Sequence, residues 1–202
     1  MKNKKILLSI LFGLLFFVMM FLVLMDMTTR FDTMIYDMVI SLRCDFLDNY
    51  FTMITKLGNT KVVVVVIVGV MLLLRNQYGL FLAVSGLDST IMNYFVKICI
   101  RRDRPSGLRL ITQGGYSFPS GHAMISICVY GYLMYYVFHH IKNKVLKYSV
   151  SFLLFVVILS IGVSRIYVGV HFASDVLAGY FLALCYLLLL FYVMERFYIK
   201  RG

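Results

Sequence analysis

Residues 6–25 read ILLSILFGLLFFVMMFLVLM, a run of 20 residues without a charged side chain. A helix needs about 20 apolar residues to cross the hydrocarbon core of a bilayer. The basic residues Lys2, Lys4 and Lys5 precede the run, and the stretch Met-Asp-Met-Thr-Thr ends it. Because a secretory signal has a shorter apolar core and a small-residue cleavage site, we expect an uncleaved membrane anchor.

The composition of the whole chain extends this interpretation. Of the 202 residues, 61% are hydrophobic and 14% are charged, whereas globular domains contain about 45–50% apolar and about 25% charged residues. These values exclude a soluble two-domain enzyme and a disordered chain. We therefore expect residues 1–202 to form a single integral membrane domain.

Five further apolar segments follow, and together they predict an all-α bundle of six transmembrane helices. The second segment is the shortest, because Val62–Leu74 contains only 13 residues. We extend it to near Ile54, with Lys56 and Lys61 close to the interface, where lysine side chains reach the headgroups. The other predicted spans are Tyr78–Ile98, Ser120–Phe138, Tyr148–Ser164 and His171–Met194.

An amphipathic pattern follows the first span. From Phe31 to Leu42, apolar residues recur at helical spacing, with polar residues between them. This pattern predicts a helix that lies in the membrane interface. Such a helix is either a structural connector or a lid beside a substrate entrance.

The net charge is +11, from 20 Lys and Arg residues against nine Asp and Glu residues. The cations form short clusters between apolar segments, which indicates membrane topology or an anionic substrate rather than a nucleic-acid partner. If both termini are cytoplasmic, ten cations lie inside, Lys200 and Arg201 among them, and ten lie outside. Three of the outer cations are assigned below to ligand binding, so ten against seven favours cytoplasmic termini.

The four cysteines are too dispersed to indicate a disulfide framework or a metal site. They show neither a CxxC pair nor metal-ligand spacing. Cys128 and Cys185 lie inside apolar segments, whereas Cys44 and Cys99 could meet, although nothing in the sequence requires it. We expect no metal and no other cofactor.

Polar residues concentrate in three segments that fall on the same side of a six-span bundle. The first contains Lys97 and Arg104-Pro105, the second is Pro119-Ser120-Gly121-His122, and the third contains Ser164-Arg165, His171 and Asp175. Their common side predicts one shared site on the face opposite to the termini.

The second segment has the features of an anion site. Ser120 precedes a long apolar helix and is a natural N-cap, and the first turn of such a helix presents free N–H groups and a positive dipole end. His122 lies on the same turn. Taken alone, the segment fits a plain capped turn equally well.

The third segment pairs an imidazole with a carboxylate. His171 and Asp175 are four residues apart, so on a helix they share a face and can touch. A carboxylate that accepts the Nδ1–H leaves Nε2 basic, which suits a nucleophile or a general base. A polar contact at the start of a helix, without a catalytic role, is the commoner explanation of such a pair. Lys97, Arg104 and Arg165 supply three cations for an anion.

Other polar residues have structural readings. Asp88 lies inside the third span, and we favour a structural hydrogen bond there over a functional role. Asn93 is four residues before Lys97 and is predicted to orient it. The remaining arginines of the loop after the third span form a solvated basic rim or recruit anionic lipid; they are Arg101, Arg102 and Arg109.

Together the three segments resemble the signature of the type 2 phosphatidic acid phosphatase superfamily, whose site is shared with soluble acid phosphatases and vanadium haloperoxidases. The first segment matches the signature because six residues separate Lys97 from Arg104-Pro105. The other two segments, Pro119 to His122 and Ser164 to Asp175, match it in the order and separation of their residues. The signature covers residues 97–175, and the six-span layout extends the resemblance over most of the chain.

The resemblance implies a role for each matching residue. His171 would attack phosphorus and form a phosphohistidine, Asp175 would orient His171, and His122 would protonate the leaving oxygen and then help water to hydrolyse the intermediate. The phosphate oxygens would be held by Lys97, Arg104, Arg165, Ser120 and the N–H group of Gly121. Asn93, Pro105 and Ser164 would support these groups.

The implied activity is metal-independent dephosphorylation of a membrane lipid at the outer face of the cytoplasmic membrane. Bacterial members act on undecaprenyl diphosphate, phosphatidylglycerophosphate or phosphatidic acid, and the sequence does not rank these lipids. Two alternatives are a lipid phosphotransferase that uses the same phosphohistidine, and a transporter or anion-binding membrane protein without turnover. The expected partners are the lipid phosphate substrate and membrane lipids, and the oligomeric state is left open.

Overall fold

The structure is a computed structural model that describes residues 2–198, and every regular element in that range is helical. This confirms the all-α prediction. Lys200 and Arg201, which were counted toward the cytoplasmic side, lie outside the described residues. The first five helices are α1 (Lys2–Leu24), α2 (Thr29–Ile40), α3 (Asp45–Ile54), α4 (Thr60–Leu74) and α5 (Gln77–Ile100). The others are α6 (Gly121–Ser126), α7 (Tyr132–His140), α8 (Lys144–Tyr167) and α9 (Ala173–Val193).

Five continuous segments of the described chain are long and apolar enough to cross a membrane. A π-helical turn at Ile127–Gly131 joins α6 to α7, and another at Met194–Tyr198 extends α9. These five segments agree with five of the predicted spans, and they are Lys4–Leu24, Gln77–Ile100, Gly121–His140, Lys144–Tyr167 and Ala173–Tyr198.

The second predicted span differs from the expectation of one helix that starts near Ile54. It consists of Asp45–Gly58 and Thr60–Leu74, which meet at an angle of 56°. The break lies at Asn59, whose backbone is extended and whose side chain accepts a hydrogen bond from the N–H group of Lys61. Because Asn59 caps the start of α4, the helix breaks there, and the described residues provide six candidate crossings only if this bent pair forms one span.

The amphipathic segment is helical, as predicted, and forms α2. One carboxylate of its polar side is buried, since Asp32 is 2% exposed and contacts both Arg102 and Ser174, whereas Thr33 and Asp37 are exposed. Val39 on the same helix is also buried. The helix is therefore joined to the loop after α5 and to the start of α9.

The two ends of the bundle differ in character. At one end Lys5 forms an ion pair with Glu195, so α1 and the segment after α9 meet there. The polar segments of the predicted site meet at the other end. Within the bundle, Tyr186 donates a hydrogen bond of 2.7 Å to Asp88, so the hydrogen bond predicted for that carboxylate is present.

Candidate active site

A cavity of about 470 Å³ opens at the end of the bundle where the three polar segments meet. Six predicted site residues are among its lining, namely Lys97, Arg104, Gly121, His122 and His171 together with the supporting candidate Asn93. The fold therefore brings together side chains that lie up to 78 positions apart in the sequence, from Asn93 to His171. Three other predicted residues, Ser120, Arg165 and Asp175, are at most 1% exposed.

The contact between His171 and Asp175 is present, although its cause differs from the predicted one. The last helix begins at Ala173, so His171 precedes it rather than sharing a helical face with Asp175. The Oδ2 atom of Asp175 accepts the N–H of Phe172 at 2.9 Å and lies 3.4 Å from His171 Nδ1. The carboxylate thus caps its own helix and reaches the imidazole at the same time.

The neighbours of His171 define its tautomer. Arg104 Nη1 lies 3.1 Å from His171 Nε2, and an arginine can only donate hydrogen bonds. The Nε2 atom must therefore be the acceptor, and the ring proton resides on Nδ1, which faces Asp175. This arrangement leaves the Nε2 lone pair on the side of the arginine and the cavity.

Burial sets the charge of the imidazole. It lowers the pKa of His171 to about 3, and although Asp175 opposes this shift, Arg165 and Arg104 reinforce it. The ring is therefore neutral at physiological pH, which is the state in which an imidazole is nucleophilic. Burial also lowers the pKa of Arg104, but a guanidinium stays charged near neutral pH.

Two residues that support Asp175 were missed in the sequence. The hydroxyl of Ser117 donates to Asp175 Oδ2 and lies 3.3 Å from His171 Nδ1, and Arg102 Nη1 donates to Asp175 Oδ1 at 2.7 Å. The rim position predicted for Arg102 is therefore wrong, since the guanidinium turns inward to a buried carboxylate. Neither residue belongs to a helical pattern, so periodicity gave no signal for them.

Lys97 and Arg104 shape the loop that covers the cavity. Lys97 Nζ donates to the carbonyl groups of Tyr116 and Ser117. Arg104 donates to the carbonyl of Gly115 at 2.9 Å and to that of Val170 at 2.8 Å, in addition to its contact with His171. Both cations thus fix backbone around the imidazole while they line the cavity.

Arg165 lies behind the cavity and is 1% exposed. Its Nη1 atom donates to Thr55 at 2.6 Å and its Nη2 atom to Gln113 at 3.2 Å, whereas the buried Nε atom has no hydrogen-bond partner in the described structure. An unpaired buried donor is costly. A third cation with a free donor therefore stands close to the site, held by two residues that the sequence analysis did not single out.

The tetrad forms the predicted capped turn. The Oγ atom of Ser120 accepts the N–H of Ala123 at 3.5 Å, so Ser120 is the N-cap. Asn93 Nδ2 donates to the carbonyl of Pro119 at 3.0 Å, and a Cβ atom on Gly121 would lie 2.9 Å from Asn93 Oδ1. Asn93 therefore supports this turn instead of orienting Lys97, which corrects the predicted role.

The remaining supporting candidates act locally. The carbonyl of Pro105 accepts hydrogen bonds from the side chain of Arg109, and Pro105 lines a small cavity of about 170 Å³ that His171 also lines. The Ser164 hydroxyl donates to the carbonyl of Ile161 in its own helix. Ser164 is thus placed in the helix that carries Arg165.

Gly58, in the 3₁₀ turn between α3 and α4, lies against His122. A Cβ atom there would meet His122 Cδ2 at 2.7 Å and Ile161 Cγ2 at 3.0 Å. We expect Gly58→Ala to lower kcat about 10- to 100-fold, because displacing a reacting group by a fraction of an ångström to one ångström has effects of this order. Initial rates of phosphate release from a short-chain lipid phosphate will measure it.

Gly69→Ala is the matched control for this substitution. Gly69 lies in α4, in the same bent span, and a Cβ atom there would meet nothing within 4 Å. Its activity and thermal unfolding midpoint should match those of the wild type. Equal activity of the two variants would contradict the assigned contact between Gly58 and His122.

Comparisons with known proteins agree with this arrangement. Residues 76–199 match the family model described as the PAP2 superfamily. The protein named phosphatidylglycerophosphatase B from Bacillus subtilis (strain 168) is 34% identical over 175 residues, which cover 82% of this chain and 82% of that protein. The family match contains all of the predicted site residues.

Two solved structures are similar to this chain. The first transmembrane PAP2-type phosphatidylglycerolphosphate phosphatase from Bacillus subtilis has a TM-score of 0.85 and 27% identity, covering 96% of this chain and 98% of that chain. Aquifex aeolicus LpxE has a TM-score of 0.63 and 24% identity, covering 76% of this chain and 92% of that chain. The second likeness concerns the fold alone.

Proposed function

The chain belongs to the PAP2 superfamily and is a membrane lipid phosphatase of that type, and from this premise we propose that it acts through a phosphohistidine at His171. The observation that carries the proposal is the orientation of the imidazole. Its Nε2 lone pair faces Arg104 at 3.1 Å and its Nδ1 faces Asp175 at 3.4 Å. A neutral, oriented imidazole beside a fixed cation suits in-line attack on phosphorus.

The reaction has two steps. In the first, Nε2 of His171 forms a bond to phosphorus while the bond to the lipid oxygen breaks, and His122 gives a proton to that oxygen. In the second, His122 takes a proton from water, whose oxygen attacks phosphorus and releases His171. Asp175 stabilises the positive charge on the ring during the first step.

The charge on the phosphate oxygens is stabilised by the cations of the site. Lys97 and Arg104 line the cavity, and Arg165 stands behind it with a free donor. The N–H group of Gly121 and the cap at Ser120 add the positive end of a helix dipole. Fixed donors of this kind stabilise the transition state because they need no reorganisation.

The shape of the cavity supports a lipid substrate. From the polar end it continues between α4 and α5, where its lining is aliphatic and includes Val64, Ile67, Val68 and Leu87. Val64, Val68 and Leu87 are exposed on the bundle surface. An acyl or prenyl chain can therefore remain in the bilayer while its headgroup occupies the polar end.

Among the candidate lipids we rank phosphatidylglycerophosphate first, ahead of phosphatidic acid and undecaprenyl diphosphate. The ranking rests on the relative named phosphatidylglycerophosphatase B, which is 34% identical over most of the chain. The aliphatic lining contributes nothing to the order, since such side chains accept any long apolar chain.

We also propose that the site faces outward from the cytoplasmic membrane and that both termini are cytoplasmic. The support is the count of ten cations on the side of the termini against seven on the other side, once the three cations assigned to ligand binding are set aside. The ion pair of Lys5 with Glu195 is consistent with this, because it lies at the end of the bundle opposite to the cavity.

We expect the reaction to be independent of metal ions, since Lys97, Arg104 and Arg165 supply the positive charge that a divalent cation would otherwise provide. Adding a chelator should change the rate of phosphate release by less than about twofold. Phosphate release will be measured in detergent with and without chelator and with Mg²⁺ restored afterwards. Activity that falls on chelation and returns with Mg²⁺ would contradict this expectation.

The function is tested with the detergent-purified protein, chelator present, on the three lipids in parallel. Release of free phosphate supports the phosphatase, and the relative rates decide the substrate. A phosphorylated acceptor lipid in place of free phosphate would identify a phosphotransferase. A folded protein that binds phosphate but releases none from any lipid would instead indicate an anion-binding protein.

A further inference from the structure

One buried ionic network joins Asp175 to two charged residues that the mechanism does not use, Arg102 and Asp32. The guanidinium of Arg102 stands between two carboxylates, with Nη1 at 2.7 Å from Asp175 Oδ1 and Nη2 at 2.8 Å from Asp32 Oδ2. Both carboxylates are at most 2% exposed. Asp32 belongs to α2, so the network connects the amphipathic helix with the start of α9, 143 residues later.

Further contacts fix the guanidinium in one orientation. Its Nη1 atom also donates to the hydroxyl of Ser174 at 2.8 Å, and its Cζ atom lies 4.2 Å from the centre of the Phe172 ring. The two oxygens of Asp32 accept from the N–H and the hydroxyl of Ser174 at 2.8 and 2.7 Å. The planar guanidinium of an arginine can form these hydrogen bonds and stack on the ring at the same time, whereas the ammonium group of a lysine cannot.

We propose that Arg102 is a positioning residue for His171, acting through Asp175 and held in place by Asp32. A carboxylate has two oxygens, and here Oδ1 is bound by Arg102 while Oδ2 faces His171 Nδ1. The arginine therefore fixes the rotation of the carboxylate that presents Oδ2 to the imidazole. This inference rests on the proposed role of His171, and it makes α2 a support of the pair rather than a mere connector.

The position of Arg102 separates this role from substrate binding. Its side chain lines a different cavity of about 420 Å³, together with Thr29 and Asp103. The cations that line the cavity of His171 are Lys97 and Arg104. Removing the Arg102 guanidinium should therefore lower kcat and leave KM nearly unchanged, whereas a general loss of structure would also lower the unfolding midpoint and the amount of folded protein.

The test compares Arg102→Gln, Arg102→Lys and Asp32→Asn in detergent with short-chain phosphatidic acid as the probe. We expect Arg102→Gln to lower kcat roughly 100-fold, since misplacing a reacting group has effects of this order, with KM within about threefold of the wild type. Arg102→Lys keeps the charge and should recover part of the loss. Asp32→Asn removes the ion pair with Arg102 and changes the contacts with Ser174 while it leaves Asp175 and Arg102 in place, and it should lower kcat about tenfold.

Two exposed neighbours provide matched controls. Arg101→Gln changes the adjacent arginine, whose Nε atom bonds to the carbonyl of Ile98, and Asp37→Asn changes an exposed carboxylate on α2. Both controls should keep the kinetics of the wild type. Thermal unfolding of each protein shows whether it is folded, and Asp32→Asn tests the network even if Arg102→Gln does not fold.

Three results would overturn the inference. If the wild type releases phosphate and folded Arg102→Gln or Asp32→Asn keeps its kcat, the positioning role alone is wrong. A rise in KM that accounts for the whole loss in kcat/KM would likewise assign Arg102 to substrate binding. If the wild type itself releases no phosphate from any lipid, the proposed function fails and this inference fails with it.

Discussion

His171→Gln should abolish phosphate release, with kcat/KM at least about 10⁴-fold below that of the wild type. The reason is chemical, because the amide has no lone pair that can attack phosphorus, while the neutral imidazole presents Nε2 beside Arg104. The cations Lys97 and Arg104 remain in this variant, so substrate binding should persist. Phosphate release and the binding of a slowly reacting lipid phosphate will be measured on the same preparations.

A labelled intermediate makes this prediction more specific. Wild-type protein that is mixed with radiolabelled substrate and quenched in alkali should carry a phosphoryl group, because phosphohistidine survives alkali but not acid. The His171→Gln variant should carry none. His139→Gln is the matched control, since His139 is exposed in the last turn of α7, and it should be labelled like the wild type. Label on His171→Gln would contradict the assignment of the nucleophile.

The spans and most of the site could be predicted from the sequence because each rests on local information. An uncharged apolar run of about 20 residues is long enough to cross a membrane, and it can be recognised from the sequence alone. The charged and imidazole side chains of the cavity lie in three short segments with the spacing of a known signature. For such features, the positions of neighbouring residues along the chain carry enough information, and the fold confirms that the three segments meet.

The features that were missed depend on contacts between distant parts of the chain. Arg102 and Asp32 are 70 positions apart, and Arg165 and Thr55 are 110 positions apart. No periodic pattern in the sequence relates such distant residues. A charged residue in a loop is therefore predicted to be exposed to solvent, because the sequence does not indicate its partner. The break at Asn59 was missed for a related reason, since a short apolar run can be extended in either direction by composition alone.

His122→Asn should reveal the two roles of His122 through a dependence on the leaving group. A lipid alkoxide needs a proton to leave, so phosphate release from a lipid substrate should fall about 10²- to 10⁴-fold. The p-nitrophenolate ion leaves without a proton. With p-nitrophenyl phosphate, the variant should therefore still phosphorylate His171, yet it should hydrolyse the intermediate slowly, because the second step still needs a base.

The expected signature is a burst of about one p-nitrophenolate per protein molecule, followed by slow turnover, with phosphohistidine accumulating to the same extent. Stopped-flow absorbance and alkaline quenching measure the two quantities independently. His140→Asn is the control, since His140 is exposed at the end of α7, and it should show wild-type kinetics with both substrates. If His122→Asn loses activity equally on both substrates and shows no burst, then His122 does not transfer the proton. Its place beside Gly58 and in the cavity lining would then reflect binding of the phosphate alone.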